Sequence, residues 1–189
     1  VLGDRANAQT AKQNSVKSIN TYCKSVDSIL KRAKSANPIF ADTKDYNSEE
    51  MPKWKKFTSE SALETFRNRN ETYTISYNWR KNGRIVQSNF TYFSPSGDWA
   101  QYVFHCFRPD GSIAKVESDY RTFNEDVIVL QSIFFDTKGR IINKTVQFKD
   151  LQSKKTKKVS AEYLKNNKEL LEFDYYKKTS RLPFAALLK

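Results

Sequence analysis

"FRPDGSIAKV", residues 107–116, sets a Pro-Asp-Gly turn between two stretches that alternate apolar and polar side chains. Proline fixes the first turn position, aspartate bonds the backbone just ahead of it, and glycine takes the left-handed conformation that closes a hairpin. Related punctuation stands at "RKNGRIV" (80–86), "SPSGDWA" (94–100) and "DTKGRII" (136–142). Gly83, Gly97 and Gly111 lie 14 residues apart, and Gly139 follows after twice that interval. The omitted step falls on Glu125 in "TFNEDV", where Asn124 is expected to supply the turn.

Fourteen residues accommodate one strand of about ten plus a turn of about four, the period of an antiparallel meander. The spacing predicts six strands near 71–80, 84–94, 99–108, 112–122, 127–136 and 140–149. An even period predicts that equivalent positions keep one face in every strand. It also sets His105 opposite Lys115, and Gln101 opposite Asp119. One face then carries Phe90, Tyr92, Tyr102, Phe104, Cys106, Tyr120, Leu130 and Phe134. The other carries Gln101, His105, Lys115, Glu117, Asp119 and Gln131, with fewer apolar members such as Trp99, Val103, Phe107, Val129, Ile133 and Phe135. The first face is expected to be covered by helix and the second to be mostly wet.

Upstream, Val16, Ile19, Cys23, Val26 and Leu30 step by three and four residues, with Ile29 beside them. This periodicity predicts an amphipathic helix over 10–34, ended by "SANP", after a flexible N-terminus of residues 1–9. Residues 36–70 read as a polar connector anchored by Trp54 and Phe57. It holds a short helix from Ser59 to Arg67 whose N-cap is Thr58 or Ser59. Beyond the meander come a basic loop, "LQSKKTKK", and a segment, 160–178, that fits either a helix or an edge strand. The apolar tail "RLPFAALLK" is expected to dock on the body. These pieces make a single α+β domain over 1–189: an N-terminal helix on a curved antiparallel meander of about six strands.

The 189 residues carry a net charge of +12, with 33 basic and 21 acidic side chains, and 14% are aromatic. The charge favours anionic partners and is densest at Lys53, Lys55 and Lys56 and at Lys154, Lys155, Lys157 and Lys158. No apolar run approaches the ~20 residues that cross a bilayer as a helix. Ala6-Asn7-Ala8 has the A-x-A form of a signal-peptidase site, without the preceding n- and h-regions. Sequons at Asn70, Asn89 and Asn143 are as frequent as this composition produces by chance.

Cys23 sits on the helix stripe and Cys106 on the face expected beneath it. The pair is therefore either a disulfide, which implies an oxidising compartment, or two buried thiols. His105, the single histidine, points away from Cys106, because neighbours in a strand face opposite ways. This disfavours a Cys–His pair. Phosphate-binding loops, a nucleophile elbow and zinc-ligand spacings are missing, and no cofactor or metal is expected.

A helix lying in a curved meander resembles the envelope carriers of the LolA kind and the helix-grip folds. The resemblance is one of architecture, and no motif carries a functional residue across. The leading expectation is a non-enzymatic periplasmic or secreted protein that binds a hydrophobic ligand, a lipid or a partner between sheet and helix. Its ligand-facing residues would be Phe90, Tyr92, Tyr102, Phe104, Tyr120, Leu130 and Phe134. The alternatives are an anion binder for nucleic acid or an anionic surface polymer, using the lysine clusters, and a small hydrolase using His105, Glu117 and Asp119. Nucleic acid is the weaker partner, because most aromatics fall on the covered face.

Overall fold

The computed structural model describes residues 2–30 and 37–188. An eight-stranded antiparallel sheet that does not close on itself forms the body, in the order β2-β1-β3-β4-β5-β6-β7-β8. The six meander strands are β3 (Thr74–Lys81), β4 (Arg84–Phe93), β5 (Trp99–Phe107), β6 (Ile113–Thr122), β7 (Val127–Phe135) and β8 (Ile141–Asp150). The 14-residue spacing thus gives their number and order. The sheet gains two more strands from the supposed connector: β1 (Ile39–Asp42) and β2 (Trp54–Phe57). They pair with each other, and β1 also pairs with β3, so eight strands replace the expected six. Four-residue strands flanked by Pro38 and Pro52 are too short to show a period.

Gly83, Gly97, Gly111 and Gly139 all take positive φ, as the turns require. In the turn without glycine the left-handed residue is Asp126 (φ 47), not Asn124. Its N–H donates to Phe123 O at 3.1 Å.

The expected register fails by one residue. Beside the Pro-Asp-Gly turn Phe107 pairs with Ile113, as a simple hairpin would have it, but a bulge follows between Cys106 and Phe107. Beyond it His105 faces Val116 rather than Lys115, and Gln101 faces Tyr120 rather than Asp119. A one-residue slip moves every side chain to the other face. From β4 onward, apart from Phe107 with Ile113 and Phe135 with Ile141 beside the bulges, each pair joins an odd to an even position: Gln87, Cys106, Lys115, Phe134 and Asn143 form one row across five strands. Faces therefore alternate in parity from strand to strand, and the expectation that equivalent positions share a face is corrected.

Both faces are covered, each by a terminal segment. Helix α1 (Leu2–Leu30) lies on the face of Cys106. It starts at Leu2, where a flexible end was expected, and residues 31–34 of the expected helix lie outside the described residues. Ile19, Tyr22, Cys23 and Val26 pack against Cys106, Ala114 and Val86. On the same face α2 (Glu60–Arg67) is capped by Ser59, whose Oγ accepts the Ala62 N–H at 3.1 Å. It drops Leu63 onto Ile39, Ala41, Phe57 and Ile75.

The opposite face holds the largest core, in which Val103, Phe107, Ile133 and Phe135, expected on the mostly wet face, join Phe40 and also Phe90 and Val116, expected on the covered one. The C-terminal segment seals it. After α3 (Ala161–Asn166) and a turn of 3-10 helix at Lys168–Leu171, the chain crosses this face as an irregular strap, neither a long helix nor an edge strand. Leu182 and Phe184 are buried in the core, and the Phe184 ring stacks on Phe40 at 4.0 Å. The strap is anchored at the opening turn: Ile113 N donates to Lys177 O and Thr179 N to Gly111 O, both at 2.9 Å.

Candidate functional site

Where α1 rides over the sheet its side chains do not fill the space down to the strands. The helix is held by the Cys23–Cys106 disulfide (S–S 2.18 Å) and by the Tyr22 hydroxyl, which donates to Phe107 O at 2.7 Å. At the end of the sheet that carries the β5–β6 and β7–β8 turns, a cleft of about 690 Å³ opens beside the helix. Ile19 and Tyr22 form its helix wall with Asn14, Ser15 and Ser18; Ala114, Phe135, Ile142 and Pro109 form its floor and far wall.

Arg108 reaches the cleft from the opening turn. Its guanidinium donates to Ile113 O and, at 2.7 Å, to Phe135 O, so it braces two strands as it lines the wall. Burial lowers its pKa, and Asp110, Tyr22 and Asp136 partly restore it. Burial raises the Tyr22 hydroxyl, which keeps it a neutral donor. Apolar walls with a few fixed polar groups are the usual make-up of a small-ligand site. Ile19, Cys23 and Cys106 were legible in sequence, from the helix stripe and the thiol pairing. Ile142, read from the strand period on the face beneath the helix, does line the cleft, whereas Arg108 was not legible, because a turn residue shows no period.

The seven aromatic and aliphatic candidates do not meet in one place. Phe90, Tyr92 and Tyr120 belong to the strap face, whereas Tyr102, Phe104, Leu130 and Phe134 belong to the α1 face. Phe90 is wholly enclosed against Phe184, Tyr176 and Trp54. Tyr92 lines a second cleft, of about 610 Å³, with Trp99, Gln101, Phe173 and Tyr175 along the strap edge.

The polar set breaks up in the same way. His105 is fully buried under the strap, where its Nε2 accepts the Tyr176 N–H at 3.1 Å. Burial pushes its pKa down to about 4, against smaller upward effects of the Val103 and Ser88 backbone. Around it Ser76, Asn78 and Ser88 close a buried network, in which Ser88 Oγ donates to Asn78 Oδ1 at 2.5 Å. Glu117 and Asp119 sit on the other face, tied to Lys115 at 2.7 Å and Arg121 at 2.8 Å. A grouping of His105 with these carboxylates is thus excluded by the register.

The lysine clusters stand at opposite edges of the sheet. Just before β2, Lys53 meets Glu50, and on β2 Lys55 lies over the Phe66 ring at 4.7 Å. Lys56 falls on the other face of β2, so the cluster is divided. In the loop after β8, Lys154 donates to Leu151 O, and Lys157 donates to the carbonyls of Glu125 and Asp126; Lys155 and Lys158 are exposed. Among the described residues no cluster of His, Cys, Asp and Glu is arranged to hold a metal, and no helix is long and apolar enough to cross a membrane. No protein-family model, curated protein or solved structure matches this chain.

Proposed function

We propose that this is a non-enzymatic, exported binding protein that takes a small, largely apolar ligand in the cleft between α1 and the sheet. The observation that carries this reading is the 690 Å³ space beside Ile19, Tyr22, Phe135 and Ile142, bordered by Arg108. A ligand there has apolar walls along its body and the rim of Arg108, Ser15 and Ser18 for a polar end. The cross-link that fixes α1 over Cys106 supports an oxidising compartment. An arrangement of one helix across an antiparallel sheet also accords with the carrier folds that the sequence resembles in outline.

The test is titration of the protein with N-phenyl-1-naphthylamine, followed by displacement with a long-chain fatty acid. Saturable binding is expected in the wild type and a loss of at least tenfold in Ser18→Trp, which fills the cleft from the solvent side of the helix. Absence of saturable binding, or equal binding by Ser18→Trp, would overturn the reading.

A further inference from the structure

β8 is the last strand of an open sheet, and its outer edge is only partly paired. Phe148 O accepts from Lys157 N, and Asp150 N donates to Lys155 O, both at 2.9 Å. The even positions of β8 therefore turn their backbone away from β7. By the alternation of an antiparallel ladder, Lys144 and Val146 do so too. Among the described residues no backbone group pairs with their outward N–H and C=O. Towards the N-terminal end of β8 a bulge faces Phe134 and Phe135, and towards the C-terminal end residues 155–157 occupy the edge. What remains is a short open slot, with Val146 40% exposed beside it.

The slot is strongly basic. Lys144, Lys149, Lys154, Lys155, Lys157 and Lys158 all lie between the start of β8 and the end of its capping loop, against the single carboxylate Asp150. None of these six lysines makes an ion pair among the described residues. From above, α1 adds Lys12, Lys17 and Lys24, which line a groove of about 770 Å³ reaching Asn143 of β8. An edge lysine ordinarily repels further strands of like charge. Here a second copy, itself at +12, is excluded both by charge and by the loop at 155–157, which leaves no room for a ten-residue β8. A short strand of opposite charge meets neither obstacle.

We infer that the free edge of β8 docks a short, extended, acidic segment of another protein as an added strand, its carboxylates answering the lysines of β8 and α1. The backbone of Lys144 and Val146 supplies the hydrogen bonds, and the lysines supply selectivity and rate. This inference is independent of the apolar cleft on the other flank of α1.

The experiment is fluorescence anisotropy with a labelled heptapeptide that alternates valine and glutamate. Saturable binding that weakens with salt is expected. Lys144→Pro removes an outward N–H that β7 does not use, so the strand is retained while binding falls at least tenfold. If that variant fails to fold, the same peptide N-methylated at alternate residues, on one edge only, replaces it and is expected to lose binding. The inference is overturned if neither change weakens binding. It is equally overturned if a single-stranded oligonucleotide of similar length displaces the peptide from wild type and Lys144→Pro alike, since the surface is then a general anion binder.

Discussion

Gly111 differs from the other turn glycines in what surrounds it. All four take positive φ, but a Cβ added at Gly83, Gly97 or Gly139 meets open space, whereas at Gly111 it would stand 2.6 Å from Thr179 Oγ1. Gly139→Ala is expected to cost about 1 kcal/mol for its backbone alone. Gly111→Ala is expected to cost about 1 kcal/mol more, as the strap is pushed off its anchor. Urea unfolding measures both, and Thr179→Ala should remove the excess at Gly111 while leaving Gly139→Ala unchanged.

His105 makes a second prediction at this scale. Its folded pKa, about 4, lies below the ordinary 6.5, so the unfolded chain binds the proton first. Stability is then full above about pH 6.5, falls as the pH drops towards 4, and is level in this respect below that. The loss amounts to about 3 kcal/mol at most. A pH series of unfolding midpoints should show this slope in the wild type and not in His105→Gln. The carboxylates of Asp110, Asp136 and Asp150, which backbone N–H donors hold below the usual range, act at lower pH and leave that window clear.

At the scale of elements, α1 depends on its cross-link. Side chains from Ala11 to Ser15 are exposed, and among the described side chains Ile19, Tyr22, Cys23 and Val26 pack on the sheet while Asp27 accepts from Gln87 Nε2 at 3.1 Å. The disulfide closes a separation of 83 residues, which by loop entropy stabilises the fold by about 4–5 kcal/mol. Reduction is expected to free the helix before the sheet unfolds. Limited trypsin digestion with and without reductant reads this directly, with early cleavage at Lys12, Lys17 and Lys24 only in the reduced protein. Cleavage that is equally slow in both would show that packing alone holds the helix. The strap is the counterpart on the other face: Phe184→Ala opens a hole beneath Phe40, Trp54 and Phe90 and should cost about 3–5 kcal/mol in the same urea assay.

Across the whole molecule, one open sheet is enclosed by the two ends of its own chain. That arrangement explains why the strands show no clean polar face: in β7, "VIVLQSIFF", seven of nine residues are buried, from both sides. Alternation marks a wet face only when one exists. The six meander strands within the eight-stranded sheet, their limits within a few residues, an N-cap at Thr58 or Ser59 and the proximity of Cys23 to Cys106 were all legible in local pattern. The strap was not, because "LLEFDYYKKTSRLPFAALL" has no period and buries its side chains one at a time against distant strands.

The amino-acid sequence by itself determined the meander, since turn chemistry at Gly83, Gly97, Gly111 and Gly139 is local and needs no partner. It also determined the net charge of +12 and the helix stripe that carries Cys23. Only the tertiary structure decided which side chains share a face, because from β4 to β8 each strand pairs with the next in a register that joins odd to even positions, with bulges at Cys106/Phe107 and Phe134/Phe135, so the face of a given position alternates from strand to strand. The same register parts His105, buried beneath the strap, from Glu117 and Asp119 on the other face. "FRPDGSIAKV" fixes the turn by its own residues; the side to which its strands face is fixed by what packs on them.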